Sequence, residues 1–231
     1  MMAGTVRVVL APAYVLHQTP WRDSSRIYEV MTREHGRLSL FARGVRGPKA
    51  RLAGLLQPFA PLLVSYSLRG EAGNLATAEA QPLPTELPTL APERLMSAFY
   101  LSELVLKLTL RHDPQPEIYD HYDRAVRSLR AGAPLARELR LFEKRLLDSL
   151  GYGLDLRVAG VAEGASAGLG YHGAGASPTT LRSLEEERLH EASELEEARV
   201  LLKRALTNCL EGRVLKTRQV AEELREMRGR E

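Results

Sequence analysis

Short runs in which apolar and polar residues alternate dominate the first 80 positions of the chain. They occupy residues 6–10, 26–30, 37–41, 62–68 and 75–80, and turn-forming residues such as Gly36 and Gly70 separate them. An alternation with a period of two is typical of half-buried strands. Five short strands in so few residues indicate a small closed β-barrel.

The apolar period changes from two to nearly four in the second part of the chain. Apolar residues recur at helical spacing after Pro92, after Pro116, and between Pro134 and Gly151, where proline suits the first turn and glycine the end of a helix. Three later helices are predicted by the same spacing over residues 178–187, 193–210 and 217–228. The fold class is therefore α+β, with an N-terminal five-stranded barrel and a C-terminal α-helical domain.

A proline-marked segment separates the two patterns. It contains Pro82, Pro84, Pro88 and Pro92. We place the boundary near Thr85, so that the barrel takes residues 1–84 and the helical domain residues 85–231. Within the helical domain, residues 155–180 form an irregular segment, because the stretch 157–178 is rich in Gly, Ala and Ser and has weak periodicity.

Composition excludes several classes of protein. With 231 residues, 44% of them hydrophobic, the chain can bury a substantial core, and it has neither an apolar run long enough for a bilayer nor a secretory signal. We therefore expect a cytoplasmic protein. Its single cysteine, Cys209, lies in a helical pattern, where we expect a buried small hydrophobic residue, and it cannot form an internal disulfide.

Motifs for cofactors and catalysis give no positive indication. Residues 168–173 match G-x-G-x-x-G but lack the preceding strand and following helix of a dinucleotide site. The six histidines fall in separate segments, and no two share the i, i+4 spacing of helical metal ligands. Neither a nucleophile elbow nor a phosphate-binding P-loop occurs. We expect no cofactor, no metal and no enzymatic activity.

Charge is distributed unevenly along the chain, although the formal net charge is only +3. The stretch from residue 33 to residue 51 holds a single acid, Glu34, and six cations: Arg33, Arg37, Arg43, Arg46, Lys49 and Arg51. The last four flank Gly44, Gly47 and Pro48 in a predicted loop, where we favour contact with DNA phosphates over simple solvation.

Aromatic rings on the predicted barrel could stack on bases, as in single-strand binding proteins. The candidates are Tyr28, Phe41, Phe59 and Tyr66. For each of them we favour a place in the core, because so small a barrel must fill its interior. Trp21 follows Pro20 in a predicted loop and is the aromatic residue that we expect to be most exposed.

The helix predicted from Pro134 carries two kinds of stripe. Leu135, Leu139, Phe142, Leu146 and Leu150 form an apolar stripe that should face the core. Arg137, Arg140 and Lys144 align along a neighbouring face at spacings of three and four. This cationic face is either solvated or a binding surface, and the sequence pattern leaves both alternatives open.

Several segments together resemble the RecO family. Residues 42–46 (Ala-Arg-Gly-Val-Arg) followed by 55–59 (Leu-Leu-Gln-Pro-Phe) resemble its signature, and residues 14–24 resemble its first hairpin. Residues 140–153 resemble its middle helix, and residues 210–218 its closing segment. The similarity spans nearly the whole chain in the same order, which makes it more specific than any one motif.

The resemblance implies an OB-fold barrel followed by a helical bundle, and a DNA repair and recombination mediator that works without catalysis. It further implies binding to single- and double-stranded DNA, annealing of complementary strands, cooperation with RecR, and assistance in loading RecA. The helical domain would dock the acidic C-terminal tail of single-stranded DNA-binding protein, and Arg140 is our candidate for the tail's carboxylate, with Arg137 and Lys144 beside it. Lys216 and Arg218 match the closing motif and join the candidate DNA-binding residues, although a partner or a local acid remains open for them.

One departure from the family is clear. Many relatives carry a four-cysteine zinc module between the middle and later helices, whereas this chain has its cysteine-free irregular segment there. The chain therefore resembles a metal-free branch. Two competing classes remain. One is a non-catalytic adaptor that binds only proteins, with a structural barrel. The other is a nuclease or other hydrolase, which would require clustered carboxylates with a metal, whereas the acids of this chain congregate on the glutamate-rich helix predicted after Ser183.

Overall fold

The computed structural model describes residues 5–45, 51–83, 88–153 and 176–228, leaving aside the side chains of Arg51, Arg225 and Arg228. The chain folds into two compact units. The first comprises Met1–Pro88 and Ala98–Val126, and the second Thr89–Ser97 and Arg127–Glu231. The boundary predicted at Thr85 lies outside the described residues, and the helical residues 98–126 belong to the unit that contains the barrel.

The first unit is built on a closed five-stranded barrel, as predicted. Its strands are β1 (Val6–Trp21), β2 (Ser25–Thr32), β3 (Gly36–Ala42), β4 (Leu62–Arg69) and β5 (Ala72–Ala80). They follow one another around the barrel in the order β1-β2-β3-β5-β4. All neighbouring pairs are antiparallel except β3 and β5, which pair in parallel over Ser39↔Ala72, Leu40↔Gly73 and Phe41↔Asn74.

Strand β1 is much longer than the five residues predicted. Its first part pairs with β4 and its second part with β2, so that one strand serves two neighbours. Register shifts between Val8 and Ala11, and between Val15 and His17, bend it between these partners. Trp21 is the last residue of β1 rather than a loop residue, and its side chain is exposed as expected.

The barrel core consists of inward-facing residues from every strand, including Tyr28, Val30, Leu40, Val64 and Tyr66. A short helix, α1 (Arg51–Leu55), lies between β3 and β4. This corrects our expectation that Arg51 belongs to a loop, because Arg51 is the first residue of α1. Leu52 on α1 packs against the barrel core.

Helical residues cover part of the barrel within the first unit. The helices concerned are α2 (Leu95–Leu108), preceded by the 3₁₀ turn Pro92–Arg94, and α3 (Pro116–Arg130). The Tyr14 hydroxyl donates to Asp123 Oδ1 at 2.6 Å, and the Tyr14 ring packs edge-on against Tyr122. The ring centroids of Phe59 and Phe99 lie 4.9 Å apart.

The second unit contains four helices among its described residues: α4 (Leu135–Ser149), α5 (Pro178–Glu185), α6 (Ala192–Cys209) and α7 (Lys216–Arg228). Helix α6 packs against both α4 and α5. The predicted helix positions are confirmed to within a few residues. The expected irregular segment ends earlier than proposed, because Ser177 caps α5, which starts at Pro178. Residues 154–175, including the G-x-G-x-x-G match, lie outside the described residues.

Candidate nucleic-acid interface

A groove of about 380 Å³ runs along one side of the barrel where β3 and β5 meet. We call it the barrel groove. The residues that line it come from the end of β3, from α1, and from β4 and β5: Phe41, Ala42, Arg43, Leu52, Ser67, Asn74, Leu75 and Ala76. It therefore combines an aromatic ring, a guanidinium and two neutral hydrogen-bonding side chains.

Arg43 and Phe41 form the part of the barrel groove closest in chemistry to a nucleotide site. The guanidinium carbon of exposed Arg43 lies 5.7 Å from the centroid of the half-buried Phe41 ring. Both residues are placed by β3, which ends at Ala42 just before Gly44 takes a positive φ of 65°. When the guanidinium turns from the ring to a phosphate, a base can stack on the ring in its place.

Two other predicted loop cations, Arg46 and Lys49, lie outside the described residues, and Arg51 is described only by its backbone. The sequence nevertheless places Arg46 and Lys49 in the segment that joins β3 to α1. Arg43 before this segment and Leu52 after it both line the barrel groove. Their contact with DNA stays a prediction.

Arg33 and Arg37 are engaged inside the first unit. Arg33 makes a bidentate ion pair with Asp120, at 2.8 and 2.9 Å, and its side chain is 44% exposed. Arg37 is only 13% exposed, donates to Glu29 Oε2 at 3.0 Å, and donates to the Thr109 carbonyl at 2.9 Å. Arg37 thus serves as a structural link in this conformation, and of the two only Arg33 presents much surface to a ligand.

Glu29 holds the ion-pair network around Arg37 together. It also accepts from Arg111 Nη2 at 2.6 Å and from the Ser39 hydroxyl. Burial raises the pKa of Glu29, but its hydrogen bonds with Ser39 and Arg111 and the nearby positive charges lower the pKa by more, so that it stays below its ordinary value. The carboxylate is therefore ionised at neutral pH and neutralises Arg37.

Three of the candidate stacking rings belong to the core, as favoured from the sequence. Tyr28 is fully buried, Tyr66 is 2% exposed and Phe59 is 5% exposed. Burial raises the pKa of Tyr66 to about 12. Phe41 is the exception, because it lines the barrel groove.

The cationic face predicted on α4 is largely neutralised by neighbouring acceptors. Arg140 is a buried residue whose Nη2 lies 2.7 Å from Glu143 Oε1. Arg137 donates to the Glu187 carbonyl at 3.0 Å, and Lys144 Nζ lies 2.9 Å from Asp148 Oδ2. The three residues do lie along one helix, but not as an open row of charges.

The remaining candidates, Lys216 and Arg218, lie at the start of α7. Lys216 is exposed and Arg218 is half-buried, and each interacts with other parts of the chain. The segment that connects α6 to α7 precedes them and contains Gly212, which has a positive φ of 81°.

Sequence reasoning missed the polar side of the barrel groove, which Ser67 and Asn74 provide. Asn74 carried a usable signal, because asparagine is depleted in strand interiors. Among the described residues there is no cluster of His, Cys, Asp and Glu suited to a metal ion. In the same part of the chain, every helix is too short or too polar to cross a bilayer.

Comparison with known proteins gives two family matches that together cover most of the chain. Residues 6–82 match the model of the recombination protein O N-terminal domain, and residues 90–208 match that of its C-terminal domain. The first match contains the whole barrel, and the second contains α2 to α5 and nearly all of α6.

Curated relatives agree over nearly their full lengths. A DNA repair protein RecO from Methylococcus capsulatus is 39% identical over 93% of this chain and 93% of its own length. Those from Nitrosococcus oceani and Azoarcus sp. are 39% and 36% identical over 96% and 98% of this chain, and they are covered over 96% and 100% of their lengths. The chain therefore belongs to the RecO family of DNA repair and recombination proteins.

Proposed function

We propose that the protein is a recombination mediator that holds DNA in the barrel groove and acts by binding alone, without catalysis. The observation that carries this proposal is the placement of Arg43 beside Phe41 in a groove that also contains Ser67 and Asn74. A base can take the place of the guanidinium over the ring when Arg43 turns to contact a phosphate. The chain that follows β3 adds Arg46 and Lys49 by sequence, and Arg51 at the start of α1.

Such a site recognises the nucleic-acid backbone rather than base sequence. Contacts from Arg and Lys to phosphate release counterions, so that affinity falls steeply as salt rises and varies little with sequence. Single- and double-stranded DNA both offer the required phosphates, whereas the half-buried ring of Phe41 adds affinity for unstacked single strands. We expect binding to be insensitive to chelators.

The finer parts of the proposal follow from family membership. We propose that the protein works at the nucleoid, anneals complementary strands, cooperates with RecR, and assists the loading of RecA indirectly by docking the tail of single-stranded DNA-binding protein. Arg140, with Arg137 and Lys144, remains our candidate for that tail. What supports it is the row of cations along α4, but Arg140 already faces Glu143 at 2.7 Å, so an incoming carboxylate must share or replace that contact.

The decisive measurement is fluorescence anisotropy of a labelled single-stranded oligonucleotide, titrated at several salt concentrations with chelator present. We expect Arg43→Ala to weaken binding at low salt and to make the slope of log K against log salt shallower by about 0.7, since it removes one phosphate contact. Phe41→Leu should weaken binding by about 1–3 kcal/mol at every salt concentration and leave the slope unchanged. The combined replacement of Arg43, Arg46, Lys49 and Arg51 by alanine should make this slope shallower still.

Arg124→Ala is the matched control, because Arg124 is an exposed arginine of the same unit on α3, away from the barrel groove. It removes the same charge and should change neither affinity nor slope appreciably. Equal losses for Arg124→Ala and Arg43→Ala would show that only net charge matters. Absence of binding by the wild-type protein at low salt would favour the adaptor that binds only proteins.

A further inference from the structure

Helix α6 carries a second groove, of about 560 Å³, in the second unit. We call it the α6 groove. The described residues that line it lie on one side of the helix: Arg199, Val200, Lys203, Arg204, Thr207 and Asn208. Its three cations have no assigned role in the function proposed above.

The amphipathic pattern of α6 turns this side of the helix outward. Ala198, Leu201, Leu202, Ala205 and Leu206 are buried on the opposite side. Arg199, Lys203 and Arg204 are all exposed, as are Thr207 and Asn208. The three cations therefore lie on the solvent-facing side of α6.

Two of the three cations, Arg199 and Lys203, lie in a line along α6. Arg199, Lys203 and Thr207 are spaced at i, i+4 and i+8, which places them along one edge of the helix at intervals of about 6 Å. Arg204 widens this row on the side that also carries Asn208. Charges repeated along a line match the linear charge of a phosphodiester backbone better than a single anionic group.

An exposed acid, Glu196, pairs with Arg199 at the start of the row. Glu196 accepts from Arg199 Nε at 2.7 Å, and both side chains are about half exposed, at 60% and 48%. Its hydrogen bond with Arg199 lowers the pKa of Glu196, so the carboxylate stays charged. An exposed pair of this kind contributes little because water screens it, so a phosphate can take the place of Glu196 beside Arg199.

We infer that the α6 groove holds the backbone of a second nucleic-acid strand while the barrel groove holds the first. The inference rests on the proposed function and extends it, because a protein with two strand-binding grooves can bring complementary strands together. The α6 groove would contact phosphates through Arg199, Lys203 and Arg204, and Asn208 could donate a further hydrogen bond.

Nucleic acid suits the α6 groove better than an acidic peptide that ends in an aromatic residue. Such a peptide needs an enclosed apolar pocket for its ring, together with a cation for its carboxylate. Val200 is the one apolar side chain among the described residues that line the groove, and it is exposed. A backbone ligand requires only the row of charges.

The test is a two-strand binding assay on the full-length protein. Donor-labelled and acceptor-labelled oligonucleotides that are not complementary are added in turn, and energy transfer reports that one protein holds both. Lys203→Gln combined with Arg204→Gln should weaken binding of the second strand roughly tenfold and reduce its salt slope by about 1.4, the value for two lost phosphate contacts. First-strand affinity should change by less than about twofold, and the annealing rate should fall in parallel with second-strand binding.

The matched control is Arg182→Gln combined with Arg188→Gln, which removes the same charge from positions of the second unit that do not line the α6 groove. Two-strand binding by this control should equal that of the wild type. If the wild type binds one strand but never two, or if the Lys203/Arg204 variant still holds both, the inference is wrong while the barrel site stands. If the Lys203/Arg204 variant loses binding of an acidic peptide but still holds two strands, the inference is also wrong. Failure of the wild type to bind any strand would instead remove the proposed function itself.

Discussion

At the scale of single residues, the environment of each cation decides what it can do. Arg43, Arg37 and Arg140 all belong to basic patterns in the sequence, but Arg43 is exposed beside Phe41, Arg37 bridges Glu29 to a carbonyl, and Arg140 is buried against Glu143. Spacing identifies the face of a helix or strand on which a side chain lies. Spacing can also pair Arg140 with Glu143, three residues further along α4, but it does not identify a partner from another element, such as Glu29 beside Arg37.

The buried pair of Arg140 and Glu143 gives a direct prediction about stability. The two side chains are 9% and 2% exposed, so Arg140→Ala removes the cation that faces a buried carboxylate and should lower the free energy of unfolding by about 3 kcal/mol. Replacing both residues together, Arg140→Met with Glu143→Leu, should recover most of this loss. Chemical denaturation followed by circular dichroism measures both effects.

Equal destabilisation in the single and double variants would contradict this account of the pair.

The burial of Arg140 also decides how its proposed contact with the tail of single-stranded DNA-binding protein should be tested. Arg140→Ala confounds lost binding with lost stability, whereas Arg140→Lys retains the positive charge and removes the bidentate geometry of the guanidinium. Peptide affinity should therefore be compared between Arg140→Lys and the wild type.

At the scale of elements, strand β3 is held in place by the segment that follows α2. The His112 amide donates to the Arg37 carbonyl at 3.0 Å, and Arg37 and Arg111 form an isolated parallel bridge. At the start of β3, a side-chain carbon on Gly36 would lie 1.9 Å from the Asp113 carbonyl oxygen. Glycine at this position allows the two backbones to approach this closely.

Two glycine substitutions separate close approach from backbone conformation. Gly36 and Gly70 have nearly the same φ, +66° and +64°, but the space beside Gly70 is open. Gly70→Ala should therefore cost only the strain of the left-handed conformation, about 1 kcal/mol, whereas Gly36→Ala should cost about 3 kcal/mol or more. Thermal unfolding of both variants measures the difference, and similar losses would show that the Asp113 contact relaxes freely.

Element positions were predictable from sequence where local chemistry marks them. Prolines precede or begin α3 and α4, and Gly151 follows α4 with a φ of 78°. The length of β1 was underestimated because Pro12 and two register shifts interrupt the alternation of apolar and polar residues. None of these features breaks the strand. Helix α1 was missed because five residues are too few for a helical period to emerge.

At the scale of the whole molecule, the division into units follows packing rather than the change of apolar period. The period changes near Thr85, but residues 98–126 belong to the same unit as the barrel. Tyr14 explains part of this grouping, because the strand residue packs against Tyr119 and Tyr122 and bonds to Asp123. Sequence patterns report the type of an element, whereas such long-range packing depends on the folded topology.

Truncation tests this division. A fragment of residues 1–84 loses the partners of Tyr14 and Phe59, and we expect it to unfold at lower denaturant concentration than a fragment of residues 1–126, which retains them. The longer fragment should also show the sharper unfolding transition, since more surface is buried in one cooperative unit. Equal midpoints for the two fragments would mean that the barrel is independent of α2 and α3.

The parallel pairing of β3 with β5 has a consequence for the order of folding. Hairpins between neighbouring strands need only local chain closure, whereas this seam joins Ser39 to Ala72 and Phe41 to Asn74, which are far apart in sequence. The barrel groove lies across this seam, with Phe41 on one side and Asn74 on the other. A nascent chain therefore acquires the barrel groove, where we propose that a base stacks, only when β5 has left the ribosome and the barrel has closed.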